Sequence, residues 1–269
     1  MQKSMDDKKR KSECVSDEDE LATNAYYNEE YTIDELRDKR SQIGAYRNKK
    51  LAFTVINDNI DWTLIQRPDL NLKYGKIPDK HAADAILKQL EEEIQYFDGE
   101  LTRVKVFGKW HNIPRKQVVF GEEGLSYTFS GISLPAKPWD ACPVVKGLQN
   151  YVELVTGECF NFVLINRYKD GNDHMGEHRD NEKELNPDSP IVSLSFGEER
   201  PFVFKHKDSR GKNSKLDIAP LKIQLEPGSI LVMEKPTNEF WYHSLPVRKN
   251  IKGVRVNLTF RQMIHVKKH

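Results

Sequence analysis

The segment from Arg255 to Arg261 alternates polar and apolar residues without a break, and no other pattern constrains the fold as strongly. In a β-strand, successive side chains point to opposite faces. One face would carry Val256, Leu258 and Phe260. The other would carry Arg255, Asn257, Thr259 and Arg261. We therefore predict a strand that packs on one face and presents two guanidiniums on the other. Such a pair can clamp an anion, because the guanidinium fork matches a carboxylate.

Short strands are indicated elsewhere too, after two helical segments. Apolar residues recur every three or four positions in Pro78–Phe97 and Pro143–Val155, and Gly157 follows the second helix. The strand predictions are Leu101–Phe107, Lys116–Phe120, Ser126–Gly131, Phe160–Tyr168, Ile191–Phe196, Arg200–Lys207, Lys222–Leu225, Ser229–Met233, Trp241–Pro246 and Gly253–Met263. This order predicts an α+β, mainly β fold: a barrel-like jelly roll with supporting helices on one side.

Composition limits the function classes. No apolar run approaches the roughly 18 residues of a membrane span, so we expect no membrane association. The formal net charge is only +1, so any case for a nucleic-acid partner has to rest on local patches. Residues 1–50 are rich in charge and poor in large apolar residues, which predicts a largely disordered tail before a domain at 51–269. The cluster Lys8-Lys9-Arg10-Lys11 is either a nuclear import signal or part of a solvated tail.

A metal site is indicated by His178 and Asp180, which are two residues apart and point the same way on an extended segment. His243 would complete the set from a later strand. Two histidines and one carboxylate with open coordination positions form the facial triad of non-haem Fe(II) oxygenases. His-x-Asp alone often occurs by chance, but here it coincides with a later histidine and the arginine strand. Together they predict an iron centre beside a bound dicarboxylate, as in a 2-oxoglutarate dioxygenase.

A zinc hydrolase site is the rival interpretation, because His174 and His178 are spaced by four. The intervening glutamate is not where a zincin helix has it, and Asp170–Asp173 predicts a turn. Asn166 and Tyr168 end an apolar strand, either as polar caps or as carboxylate ligands. The basic run at 200–215 is either a solvated loop or a phosphate contact.

Several strings resemble the AlkB family of DNA- and RNA-dealkylating dioxygenases, over roughly residues 60–263. They are VFGKWH, PRKQ, YTFSG, NFVLINRYKDG, GEHRD, FVFKHKDSRGK, WYHSLPVRK and RVNLTFR. The family's arginine pattern stands intact at Arg255 and Arg261. The resemblance implies a double-stranded β-helix with an N-terminal nucleotide-recognition lid at about 100–131. It also implies Fe(II), 2-oxoglutarate and O₂, with ascorbate as the reductant.

Site roles follow from the resemblance, position by position. Catalytic iron ligands would be His178, Asp180 and His243. The 2-oxoglutarate contacts would be Asn166, Tyr168, Arg255, Asn257, Thr259 and Arg261. Substrate contacts would be Phe107, Gly108, Lys109, Arg115, Tyr127, Thr128, Phe129, Asn181, Glu182, Arg210, Gly211 and Lys212. Phe107 would fill the gap left by a flipped base, Phe129 would stack on that base, and Arg210–Lys212 would grip the opposite strand. Asn181 departs from the pattern, because an acidic residue is expected there.

The implied reaction is oxidative demethylation of 1-methyladenine and 3-methylcytosine in DNA, preferably double-stranded, with release of formaldehyde and succinate. We expect a monomer in the nucleus. The tail lacks the short basic–aromatic–aliphatic motif by which relatives engage the sliding clamp, so that partnership stays open. Two alternatives remain: a 2-oxoglutarate oxygenase acting on RNA or protein, and a non-catalytic DNA-binding scaffold. The scaffold predicts a missing ligand, yet the triad and both arginines are present.

Overall fold

The computed structural model describes residues 59–106, 108–211 and 215–264. The predicted tail with its Lys8–Lys11 cluster, Phe107 and Lys212 lie outside these residues. The described helices are α1 (Lys80–Glu93), α2 (Pro143–Thr156) and the short α3 (Thr237–Phe240). No helix among the described residues is long and apolar enough to cross a membrane.

Two antiparallel sheets form the body of the fold. The larger has seven strands in the order β1 (Thr63–Arg67), β2 (Leu70–Lys76), β13 (Ser229–Glu234), β10 (Ile191–Gly197), β15 (Arg255–Arg261), β8 (Phe162–Tyr168) and β5 (Lys116–Gly121). The smaller has four, in the order β12 (Leu221–Leu225), β11 (Arg200–His206), β14 (Trp241–Leu245) and β9 (Met175–His178). The predicted jelly roll is confirmed.

The arginine strand, β15, lies between β10 and β8 in the larger sheet. Val256, Leu258 and Phe260 are fully buried, as the alternation predicts. Three of the four polar-face residues are buried as well, and both Arg255 and Arg261 are only 2% exposed. That face lines a cavity between the two sheets, to which β8, β10 and β13 contribute from one side and β9, β11 and β14 from the other. A polar strand face that is buried in this way indicates a binding site and not a solvated surface.

Helix α1 supports the larger sheet, packing on β10 and on α2. The Asp79 side chain accepts a hydrogen bond from the His81 amide and caps the start of α1. The predicted end at Phe97 was too late, because the chain becomes extended at Ile94. Ile94 is buried, so the apolar periodicity continued past the helix end. Helix α2 runs from Pro143 as predicted, and Gly157 ends it with φ 71°.

Two hairpins occupy most of the region predicted as a lid: β3 (Arg103–Val106) with β4 (Lys109–Asn112), and β6 (Ser126–Phe129) with β7 (Ile132–Pro135). The strand β5 between them belongs to the larger sheet. The strand predicted to begin at Leu101 begins at Arg103 instead, because Gly99–Thr102 forms a 3-10 turn. Gly131 turns the second hairpin with φ 80°, so the strand predicted to reach it ends at Phe129.

The sequence patterns missed five strands: β1, β2, β4, β7 and β9. In β4 all four residues are exposed, and Trp110 is 54% exposed. An exposed hairpin strand buries no apolar face, so it has no period-two signal to detect.

Candidate metal centre and co-substrate pocket

The three predicted iron ligands meet at one point of the cavity. His178 ends β9 and His243 lies on β14, and the two are directly paired across the strands. Their ring centroids are 4.3 Å apart. Asp180 follows two residues after His178, and its Oδ1 lies 3.7 Å from Nε2 of each histidine. Among the described residues this is the one group of three or more His, Cys, Asp or Glu side chains whose donor atoms lie within 4.8 Å of one another.

Both the tautomer and the protonation state of His178 suit a metal ligand. Its Nδ1 lies 2.9 Å from the Gly176 carbonyl oxygen, so Nδ1–H donates and Nε2 keeps a free lone pair. Burial, together with the neighbouring His243, lowers the pKa of His178 to about 4. The ring is therefore neutral near pH 7. Two imidazole nitrogens and one carboxylate oxygen, open to the cavity, fit Fe(II).

Arg261 holds the carboxylate ligand in place. Its Nε and one terminal nitrogen donate to Asp180 Oδ2 at 3.1 and 2.7 Å, which leaves Oδ1 facing the histidines. Burial disfavours the ionised carboxylate, but Arg261 and the two histidines outweigh that effect and lower the pKa of Asp180. The other terminal nitrogen of Arg261 is buried without a hydrogen-bond partner and lies 3.9 Å from Glu182. The predicted contact of Arg261 with 2-oxoglutarate rests on that free nitrogen.

Arg255 is a buried cation without a carboxylate partner among the described residues. One terminal nitrogen donates to Ser195 Oγ at 2.9 Å, its guanidinium carbon lies 5.4 Å from the Tyr168 ring centroid, and Nε has no partner. Within the described residues no carboxylate forms an ion pair with it. Burial lowers the pKa of Arg255 to about 10, still well above neutrality. A buried charge needs a counter-charge, and the carboxylate of a small ligand in this cavity would supply it.

The other predicted 2-oxoglutarate contacts line the same cavity. Asn166 is directly paired with Asn257 across β8 and β15. Its Oδ1 accepts from Arg115 and Gln117, both at 2.9 Å, so only its amide nitrogen remains to bind a ligand. Asn257 donates to Ser193 Oγ and to the Leu194 carbonyl, both at 2.7 Å. Its donors are therefore engaged with protein, and a direct ligand contact by Asn257 stays a prediction.

The predicted base-pocket residues lie on β6 and just after Asp180. The rings of Tyr127 and Phe129 stack with centroids 5.1 Å apart, and Tyr127 lines the cavity. Thr128 points to the exposed side, where its hydroxyl lies 3.3 Å from Ser133 Oγ. Burial and the nearby Asp180 raise the pKa of Glu182 against the opposing effect of Arg261. One oxygen of Glu182 is buried without a partner, as expected of a group that awaits a ligand.

The residues predicted to contact DNA differ in how exposed they are. Gly108, Lys109 and Asn181 are exposed, and Gly108 adopts φ 79° at the tip of the first hairpin. Gly211 is exposed too, also at positive φ, and Phe107 and Lys212 lie outside the described residues. Arg210 stacks 3.6 Å from the Tyr242 ring centroid, and its Nε donates to Glu177 at 3.1 Å. The Nε of Arg115 donates to Asn166 Oδ1 at 2.9 Å, so Arg115 contacts a residue that lines the cavity, and its contact with DNA stays a prediction.

Three residues that support the site were not predicted from the sequence: Ser195, Gln117 and Asn238. Ser195 bonds Arg255 and could have been found, because Ser193-Leu194-Ser195 alternates like β15. Gln117 is buried and positions Asn166. Asn238 bonds the main chain of Asp180, 58 positions earlier, and no sequence pattern signals it.

Antiparallel sheets enclosing a two-histidine, one-carboxylate centre and an unpaired arginine define an iron-dependent oxygenase with an acidic co-substrate. A profile described as the 2OG-Fe(II) oxygenase superfamily matches residues 73–261. The chain belongs to this superfamily, whose members use Fe(II), 2-oxoglutarate and O₂.

The chain is also similar to individual members of this superfamily. The human "DNA oxidative demethylase ALKBH2" is 55% identical over 207 residues, 77% of this chain and 78% of the relative. Its mouse counterpart is 52% identical over 208 residues, covering 77% and 86%. Human "Alpha-ketoglutarate-dependent dioxygenase alkB homolog 3" is 34% identical over 190 residues, covering 70% and 64%. The resemblance to the AlkB family is confirmed.

Proposed function

We propose that this protein removes N-methyl groups oxidatively from 1-methyladenine and 3-methylcytosine in double-stranded DNA. One observation carries the proposal. A single cavity is lined by the facial triad and by Arg255, which has no carboxylate partner among the described residues. Tyr127, which stacks on Phe129, lines the same cavity. The identity to relatives named DNA oxidative demethylase supports DNA as the substrate. The intact triad argues against a non-catalytic scaffold.

Within this proposal, each residue around the metal has one task. His178, His243 and Asp180 Oδ1 hold Fe(II), which together with 2-oxoglutarate and O₂ supplies the oxidising chemistry. Arg261 keeps Asp180 ionised and oriented, and Arg255 binds the distal carboxylate of 2-oxoglutarate. The Asn166 amide nitrogen donates to the same co-substrate. The oxidised N-methyl group would leave as formaldehyde, and 2-oxoglutarate would be converted to succinate and CO₂, with one oxygen atom of O₂ entering each of formaldehyde and succinate.

The base pocket would recognise a flat, cationic ring. Phe129 would stack on the base and Tyr127 would close the pocket wall. Glu182 lies within reach of Arg261 and would accept a hydrogen bond from the base edge or balance its positive charge. The methylated bases are cationic and mispaired, which lowers the cost of flipping them out of the duplex. Asn181 can hydrogen-bond an exocyclic amine but adds no negative charge.

The DNA contacts would come from two segments, residues 107–109 and residues 210–212. Phe107, with Gly108 and Lys109, would fill the gap left by the flipped base. Thr128 and Arg115 would support the pocket, and Arg210, Gly211 and Lys212 would contact the opposite strand. We further propose nuclear localisation, directed by Lys8–Lys11, a monomeric state, and ascorbate as the reductant. A sliding-clamp partnership stays open.

The test compares one 1-methyladenine oligonucleotide in duplex and single-stranded form, with formaldehyde and succinate as readouts. We expect turnover that depends on Fe(II) and 2-oxoglutarate, and faster repair of the duplex. Phe107→Ala should lower duplex activity by roughly tenfold, because unstacking costs a few kcal/mol, and should change single-strand activity little. Leu154→Ala, which removes a large exposed side chain on α2, is the control. Turnover of methylated RNA or of a peptide with none on DNA would overturn the proposal.

A further inference from the structure

Asp180 is held by a different kind of support from the two histidine ligands. His178 and His243 lie on paired strands, so the sheet hydrogen bonds fix their backbone. Asp180 lies two residues beyond the end of β9, where pairing with β14 has stopped. The ion pair with Arg261 orients the carboxylate, but it does not fix the main chain from which that carboxylate projects.

The side chain of Asn238 takes the place of the missing strand partner. Its Oδ1 accepts a hydrogen bond from the Asp180 amide at 3.0 Å, and its Nδ2 donates to the Asp180 carbonyl at 2.6 Å. A carboxamide offers one acceptor and donor hydrogens, like a peptide group. The two bonds therefore reproduce what one residue of a neighbouring antiparallel strand would give.

Asn238 is itself anchored from both sides. Thr237, which precedes it, is fully buried, accepts from the Asn71 amide at 2.8 Å and donates to the Asn71 carbonyl at 3.0 Å. Glu239, which follows it, accepts a hydrogen bond from Arg179 at its carbonyl oxygen. Helix α3 then leads directly into β14, which carries His243. One short helix thus ties the Asp180 segment to β2 and to the strand of another ligand.

We propose that Asn238 is a positioning residue for the metal centre, holding the Asp180 main chain so that Oδ1 meets the two histidine nitrogens. The inference rests on the proposed metal site but not on the DNA substrate. Residues that orient metal ligands typically change metal affinity by about 10–100-fold when replaced. The loss should appear in the protein without co-substrate or DNA, because the bonds lie wholly within the chain.

The experiment titrates Mn(II), a redox-stable probe, into metal-free protein and follows the free ion by electron paramagnetic resonance. Asn238→Leu keeps the size of the side chain and removes both hydrogen bonds. We expect its Mn(II) dissociation constant to rise by about 10–100-fold. Glu239→Ala is the matched control, since its side chain is exposed and only its main chain makes the bonds described. The d–d absorption of bound Co(II) should shift in Asn238→Leu and not in the control.

Further variants separate the possible failures. His178→Ala must lose Mn(II) binding; if it binds normally, the metal site itself is wrong. If His178→Ala fails to bind while Asn238→Leu binds Mn(II) like the unaltered protein, the role of Asn238 is overturned. Should Asn238→Leu fail to fold, Asn238→Ala removes the same two bonds without bulk. The proposal would also be overturned if the fraction of the metal-free variant that is unfolded fully accounted for the rise in its apparent Mn(II) dissociation constant.

Discussion

Arg255 and Arg261 lie on the same face of one strand, are equally buried, and have opposite electrostatic surroundings. Arg261 makes a two-nitrogen contact with Asp180, and neighbouring carboxylates raise its pKa despite burial. Arg255 has a hydroxyl partner and an aromatic ring but no carboxylate among the described residues, and burial lowers its pKa to about 10. Among the described residues, one guanidinium thus has a carboxylate partner and the other has none.

This difference separates two functions that the sequence pattern treats as one clamp. The charge of Arg261 is used to build the metal centre, because it fixes the ligand carboxylate. The charge of Arg255 has no carboxylate partner among the described residues, so a carboxylate in the cavity would be its counter-charge. Removing each arginine should therefore affect different quantities, and the comparison can be tested.

The largest effect is expected for Asp180→Ala. The change removes the carboxylate ligand and leaves two imidazoles to hold the metal. We expect demethylation to fall below detection at Fe(II) concentrations that saturate the unaltered protein, measured as formaldehyde release. Asp188→Ala, on an exposed carboxylate, is the control. Normal turnover by Asp180→Ala would mean that the triad is not the metal site.

Stability should distinguish the two arginines when each is replaced by methionine. Arg261→Met leaves Asp180 buried without its partner and should lower the free energy of unfolding by about 3–5 kcal/mol. Arg255→Met removes a buried charge that has no acidic partner, so we expect a change within about 1 kcal/mol. Urea unfolding of the metal-free proteins measures both. Equal losses would contradict the distinction between a paired and an unpaired guanidinium.

The affinity for 2-oxoglutarate should depend strongly on Arg255. Arg255→Lys keeps the charge but replaces the planar fork by a single ammonium group. Loss of one charge-assisted contact is worth about 1.5–3 kcal/mol, so the KM for 2-oxoglutarate should rise roughly tenfold or more. The KM for DNA should change little. An unaltered KM for 2-oxoglutarate would show that Arg255 serves packing alone.

The smallest effect concerns the pH dependence of the Asp180–Arg261 pair. The folded-state pKa of Asp180 is lowered from an unfolded value of about 3.9. Its contribution to stability is therefore fully present above roughly pH 4 and is lost as the pH falls towards the folded value. The difference in Tm between the metal-free protein and Asp180→Asn should stay constant from pH 7 to 5 and shrink below pH 4. A constant difference down to pH 3 would contradict the lowered pKa.

Local patterns predicted much of the fold because the physical cause is local. The alternation in β15 and the periodicity of α2 report which side of an element is buried. The patterns gave wrong predictions where burial does not follow the secondary structure. The apolar Ile94 continues the period of α1 beyond the end of the helix, and β4 buries neither face. The hairpin turn at Gly131 was also missed, so the predicted strand extended into it.

For the site, the sequence by itself determined the kinds of groups available: two histidines and a carboxylate for a metal, and two arginines on one strand face. The tertiary structure decided how they are paired. Arg261 and Asp180 are 81 positions apart, and Asn238 and Asp180 are 58 apart. Spacing along a strand fixes which face a side chain occupies, because the pleat has period two. It does not fix which distant group meets that face. Only the packing of the two sheets brings a carboxylate to Arg261 and, in the part of the chain that the structure describes, none to Arg255.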